Sequence, residues 1–221
     1  MHSNGSLIAT QGLPMLRILG RDTSINVRKV LWACAELGID FTREDWGSGV
    51  RSAQSSEFLA LNPNGLIPVI VDDDFVLWES HAILRYLAAF EAGEALYPRQ
   101  ARARARIDQW LDWQAAELNP AWSYAYHNLV KHSAQHCDPE LTLASCRQWS
   151  QRMQVLEAQL QSTAAYVVGE HLTLADISIG LSVNRWFHTP FERPELPAVS
   201  AYYERLGERE GFRLYGRNGR P

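Results

Sequence analysis

At 221 residues, 46% hydrophobic and 21% charged, the chain has globular composition and enough length for one large or two small cores, which excludes wholesale disorder and collagen-like repeats. A net charge of −4 and an isoelectric point near 6.0 give no global attraction for phosphate backbones and argue against nucleic acid as partner. Apolar runs are short and interrupted, as by Arg85 within Ala82 to Phe90, so no helix is predicted to cross a bilayer.

Met1 to Pro14 lack the basic start and long apolar core of a secretory signal and read as a flexible extension. Leu16 to Leu19 is a predicted strand ending at Gly20. Val27, Val30, Leu31, Cys34 and Leu37 recur on one helix face, and Gly38 supplies the stop. A strand at Phe41 to Asp45 and a polar loop with Gly47 and Gly49 come next. Glu57 to Leu61 makes a helical turn, and Asn62 to Gly65 is a run of turn formers. Ile67 to Val71 and Phe75 to Trp78 flank Asp72 to Asp74 at hairpin spacing, and Ser80 opens a helical pattern through Ile83, Leu84 and Leu87. The order β-α-β-(α)-β-β-α predicts a small α/β domain.

Past Tyr97-Pro98 strand signals almost vanish. Arg102 to Leu118, Leu141 to Leu160, Leu174 to Val183 and Ala198 to Leu206 read as helices, with Thr173 to Asp176 as a capping box before the third. The expected organisation is an extension over 1–14, an α/β domain over 15–91, a linker over 92–101 and an all-helical domain over 102–221.

Three cysteines, Cys34, Cys137 and Cys146, make an odd count with no C-x-x-C and no ligand-like histidine spacing, which argues against disulfide scaffolds and structural zinc and fits a reducing cytoplasm. Three other stretches could carry chemistry. Asp22 to Asn26 sits between the first strand and first helix, where its hydroxyls and amide either cap the helix or, with free N–H groups and the helix dipole, favour an anion. Pro68 either heads an edge strand in trans or follows a cis bond that frees the backbone of Ile67 for an extended ligand. Glu79-Ser80 lies at a strand-to-helix turn. There Ser80 is an N-cap, or it holds a carboxylate while Glu79 pairs with an ammonium, as recognition of an amino-acid head requires.

The order of these features resembles the cytosolic glutathione transferase superfamily, theta-like and bacterial members above all. The matching stretches are Ser24 to Val30 (SINVRKV), Leu61 to Pro68 (LNPNGLIP), Glu79 to Leu87 (ESHAILRYL), Ile107 to Trp113 (IDQWLDW) and Val168 to Ile177 (VGEHLTLADI). The resemblance implies a thioredoxin-like domain that holds glutathione, followed by a helical-bundle domain lining the second-substrate pocket. Glutathione would be the co-substrate, no metal would be needed, and the thiolate would attack a small apolar electrophile. A free thiol has a pKa of about 8.5, so a site lowering it by roughly two units gains most of the available nucleophile at neutral pH.

In that resemblance Ser24 matches the catalytic hydroxyl, with Asn26 and then Thr23 as rivals. Ile67, before cis Pro68, would pair with the cysteinyl part; Glu79 and Ser80 would bind the γ-glutamyl head. Asp108 would reach the glutathione of a second subunit, which implies a homodimer, and Thr173 and Asp176 would serve folding. The chain departs from the pattern at Ala53 and Leu66, where theta-like members carry basic groups for the glycyl carboxylate; Arg51 is the nearby substitute. Two alternatives remain open at this point: a glutathione-dependent disulfide or peroxide reductase, and a non-catalytic binding protein of the same fold. The aromatic group Trp110, Trp113, Trp122, Tyr124 and Tyr126 fits either a pocket or the core.

Overall fold

The computed structural model describes residues 15–47, 49–89 and 91–221; the extension expected over 1–14 lies outside them. Its first part is a four-stranded mixed sheet with helices. The elements are β1 (Leu16–Leu19), α1 (Ile25–Leu37), β2 (Phe41–Glu44), α2 (Ser56–Leu61), β3 (Val69–Asp72), β4 (Phe75–Trp78) and α3 (Ser80–Leu87). The strand order is β2-β1-β3-β4, with β1 parallel to β2 and antiparallel to β3, and β3 antiparallel to β4.

The predicted alternation is thus observed with small boundary shifts: β2 ends at Glu44 instead of Asp45, and β3 runs on to Asp72. β3 begins at Val69 instead of Ile67, because the chain only joins the ladder after the cis Ile67–Pro68 peptide bond. Gly38 ends α1 in a left-handed conformation with φ 65°, as an L residue there would do only at a cost. Gly20 is required for a different reason: a Cβ at this position would lie 2.5 Å from Val27 Cγ2. That approach lets the chain turn directly from β1 into α1.

The second part is helical: α4 (Ala101–Trp113), α5 (Asn119–Leu129), α6 (Pro139–Thr163), α7 (Leu174–His188), α8 (Pro197–Gly207) and α9 (Glu210–Tyr215). The single helix expected over Arg102 to Leu118 is α4 followed by a π-helical turn over Gln114–Leu118, and α5 continues from it. No helix is predicted between Leu118 and Leu141, and α5 is an addition; its Pro120 falls in the first turn, where a missing N–H costs nothing. α9 has too little propensity to be seen in sequence and is fixed by packing, with the Phe212 ring 5.0 Å from that of Trp32.

The core is shared between the two parts. Ile25, Trp32 and Leu84 pack in one buried cluster with Trp110, Leu174, Ile177 and Leu206 of the helical part. Burial at about 25 cal/mol per Å² of apolar surface makes this shared cluster the main force joining them. Asp176 anchors it. Its carboxylate accepts from the Thr173 N–H (2.8 Å), the Thr173 hydroxyl (3.0 Å), the Val167 N–H (2.8 Å) and the Tyr202 hydroxyl (3.1 Å). The capping pair therefore also pins the 167 segment and α8. Among the described residues no helix is long and apolar enough to cross a membrane.

Candidate functional site

The sheet register decides which loops meet. Leu19 pairs with Val69, and Val69 with Trp78, so Gly20-Arg21, Ile67-Pro68 and Glu79-Ser80 emerge at one end of the sheet beside the start of α1. Ser24 is the N-cap of α1, with φ −81° and ψ 126°, yet its side chain caps no amide. The hydroxyl is therefore uncommitted, at the positive end of a helix whose first turn carries no acidic residue. Thr23 is exposed, its hydroxyl accepting from Arg21 Nη1 at 3.4 Å. Asn26 lies one residue into the helix and is half-buried.

A groove of about 440 Å³ lies at Arg21, lined also by Gly47, Ala53, Gln54, Leu66 and Ile67 among others, with Ser24, Glu79 and Ser80 outside its lining. Among the described residues neither backbone polar group of Ile67 has a protein partner, so both are available to an extended ligand. Ala53 and Leu66, the two departures from the expected basic pattern, do line it. Arg51 is held at 3.2 Å by Glu44 and stacks 5.2 Å from the Trp46 ring centroid. The groove's own cation is Arg21, whose buried Nε has no partner. Sequence inspection passed over Arg21 because a single arginine after a glycine carries no pattern.

Across from Pro68, Glu79 is exposed and adopts φ 75° and ψ 112°, a left-handed conformation that costs a residue of this type roughly 1–3 kcal/mol and is typical of ligand sites. It directs the chain into α3, whose first residue Ser80 is buried. Asp108 is engaged within its own chain. Oδ1 accepts from Arg85 Nε at 2.6 Å, and both carboxylate oxygens accept from the Tyr97 hydroxyl at 3.0 Å.

Behind α1 lies a polar network that sequence reading did not find. Lys29 Nζ is 3.0 Å from His81 Nε2 and donates to Gln114 Oε1 at 3.1 Å. Ser178 Oγ also meets His81 Nε2 at 3.0 Å, and Gln114 Nε2 donates to Ser182 Oγ at 2.9 Å. The π-helical turn at Gln114 is what swings this amide inward; such turns occur often at functional sites. Burial, with Arg185 adding to it, pushes the Lys29 amine down to about 7, and burial beside Lys29 holds His81 neutral. Two arginines on the neighbouring faces, Arg28 and Arg185, are also buried.

No thiol shares the α1 N-terminus. Cys34 is buried on the apolar face, and burial pushes its thiol up to about 12. Among the described residues no group of three or more His, Cys, Asp or Glu side chains is arranged to hold a metal ion. Of the aromatic group, Trp110 and Trp122 are core, while Trp122 and Tyr126 flank Arg185.

Comparison with known proteins agrees with this geometry. Residues 23–89 match the profile described as glutathione S-transferase, N-terminal domain, and residues 113–210 match that described as glutathione S-transferase, C-terminal domain. Glutathione S-transferase GstB of Escherichia coli is 31% identical over 201 residues, covering 90% of this chain and 96% of the relative. Glutathione S-transferase 3 of Zea mays is 32% identical over 205 residues, covering 89% and 91%. The glutathione-bound crystal structure of a theta class glutathione S-transferase from Xanthomonas axonopodis pv. citri superposes with a TM-score of 0.86 at 34% identity, covering 92% of this chain and 97% of that one.

Proposed function

The chain belongs to the glutathione S-transferase family, and from that membership and the turn around Ser24 we propose how it carries out the reaction. It is a glutathione transferase; the residue roles, the electrophile and the assembly are our reading. The observation that carries the mechanism is the uncommitted Ser24 hydroxyl at the head of α1. Glutathione lies along the groove with its sulfur at this hydroxyl, which donates to the thiolate while the helix N-terminus stabilises the negative charge. Asn26 stands next in line for that role and Thr23 after it.

The cysteinyl backbone pairs with Ile67, held by Pro68, in strand-like fashion. The γ-glutamyl ammonium meets Glu79, and its carboxylate meets the Ser80 hydroxyl and the first amides of α3. With Ala53 and Leu66 unable to supply charge, the glycyl carboxylate is taken by Arg21, nearer the groove than Arg51. The thiolate attacks a small, largely apolar electrophile, displacing its leaving group without redox chemistry. We further propose a cytoplasmic homodimer in which Asp108, besides holding Arg85, faces the partner's glutathione. The test is formation of a glutathione conjugate from chlorodinitrobenzene, with binding of glutathione followed by calorimetry. Binding and conjugate are both expected; binding with no conjugate from any member of an electrophile panel would overturn the mechanism.

A further inference from the structure

The groove beside Arg21 is larger than the part of glutathione that reaches it. Ser24, Glu79 and Ser80 stand outside its lining, so in the reading above the sulfur and the γ-glutamyl head lie beyond it and the cysteinyl-glycyl end enters. Its volume of about 440 Å³ nevertheless falls in the roughly 300–1,000 Å³ range of sites that enclose most of a whole small ligand. The surplus is apolar in character. Val50 and Leu66, 67% and 62% exposed, are the two most exposed large apolar side chains among the described residues, and both line this one groove. A single exposed apolar side chain needs no explanation, but two that meet from separate loops at a ligand groove mark a surface meant to be covered.

The walls carrying these side chains are fixed. Gln54 Nε2 donates to the Gly65 carbonyl at 3.2 Å and so joins the two loops. The Ser52 hydroxyl accepts from the Gln54 N–H at 3.1 Å, and Asn62 Nδ2 donates to the Leu66 carbonyl at 2.7 Å. The backbone of Leu66 is thereby pinned while its side chain stands in water. An apolar group placed against such preformed walls gains burial without the cost of ordering them. Charge is poorly matched there. Among the described residues no carboxylate lines the groove, and its one charged lining residue, Arg21, is assigned above to the terminal carboxylate of the peptide.

We propose that this groove is a side-chain subsite for the third residue of the thiol peptide, so that the protein takes γ-glutamylcysteinyl peptides ending in an apolar residue and binds them more tightly than glutathione. This rests on the transferase reading above, in which Ile67 pairs with the cysteinyl backbone and Arg21 takes the terminal carboxylate, and it adds a class of thiol co-substrate. The carboxylate stays with Arg21, and the added side chain covers Val50 and Leu66 beside Ala53. Ala53 and Leu66 stand where the resemblance calls for basic groups, so recognition of the peptide end shifts from a second charge to apolar contact. The sulfur chemistry is unaltered: the thiolate forms the C–S bond as the electrophile's leaving group departs with its electron pair.

The experiment is calorimetry on the unaltered protein with γ-glutamylcysteinyl peptides ending in glycine, alanine, valine and leucine, each also tried as co-substrate with chlorodinitrobenzene. Affinity should rise along the series, the leucyl peptide binding roughly three- to tenfold more tightly than glutathione, as partial burial of an aliphatic side chain provides. In a Val50→Ser, Leu66→Ser double variant the leucine-to-glycine ratio of affinities should fall toward one. Affinity that stays flat or falls from glycine to leucine, or a ratio preserved in a natively melting double variant, would overturn the proposal, while glutathione binding and conjugation in the same runs would leave the transferase reading standing. Failure of every peptide to bind, glutathione included, would remove that reading and this proposal with it. Should the double variant fail to fold, the near-isosteric asparaginyl peptide decides on the unaltered protein: it must bind more weakly than the leucyl peptide, and equal affinity refutes an apolar subsite.

Discussion

Replacing Ser24 by alanine separates catalysis from folding unusually cleanly, because the side chain makes no capping bond in the protein. A typical N-cap serine contributes about 1 kcal/mol, all of it through that bond, so Ser24→Ala should leave the melting temperature almost unchanged. The thiolate should feel the loss strongly. A hydrogen bond to a charged acceptor is worth about 1.5–3 kcal/mol and one pKa unit about 1.4 kcal/mol, so the bound thiol should rise by about 1–2 units. If the bound thiol starts near 6.5, roughly two units below a free thiol, the ionised fraction at pH 7 falls from about three quarters to about a tenth when the midpoint reaches 8. The assay is a titration of thiolate ultraviolet absorbance in the complex, paired with the pH dependence of kcat/KM. Turnover should fall roughly eightfold at pH 7 and recover by about pH 9, where both proteins are ionised, with glutathione affinity nearly intact. An unchanged midpoint would transfer the role to Asn26 or Thr23, and a rate loss that persists at high pH would refute thiolate stabilisation altogether.

Arg21→Gln should weaken glutathione by about tenfold yet leave γ-glutamylcysteine, which lacks the glycyl carboxylate, almost unaffected; equal losses in calorimetry would mean that Arg21 does not meet that group. The exposed Cys137 should react with a neutral alkylating reagent in the native protein while buried Cys34 and Cys146 react only on unfolding, a difference read directly by mass spectrometry. Lys29, about 7 in the folded protein against 10.5 ordinarily, binds fewer protons than in the unfolded chain between those values. Its contribution to stability should therefore rise with pH across that window, by up to about 1.4 kcal/mol per pH unit. Denaturant curves of the protein and of Lys29→Met should diverge accordingly from pH 7 upward, and a pH-independent difference would show that the amine keeps its ordinary protonation. Finally, Gly20→Ala should destabilise by about 1–3 kcal/mol, since its Cβ would strike Val27; an unchanged melt would mean that β1 and α1 separate freely.

Local patterns along the chain determined more than the elements themselves. Periodicity located all four strands and most helices, because apolar spacing directly reports which face is buried. The turn residues Ser24, Pro68, Glu79 and Ser80 were legible because special backbone positions restrict residue type. α5 was not predicted at all, although its Pro120 is compatible with a helix because the first turn leaves that N–H unused. α9 escaped because six residues hold too little signal, and its order comes from Trp32, far away in sequence.

Other features existed only once the chain was folded. The register of β1, β3 and β4 is what brings Arg21, Ile67 and Glu79 to one end of the sheet. No spacing in the sequence encodes that meeting. The same is true of the buried cations: Arg28 and Lys29 fall within the first predicted helix and Arg185 just past Val183, where another was predicted to end, and no pattern marks any of them as buried. Their burial follows from packing α1 against α7 and the final segment, and charge acquires its cost, and hence its use, only when water has been removed from around it.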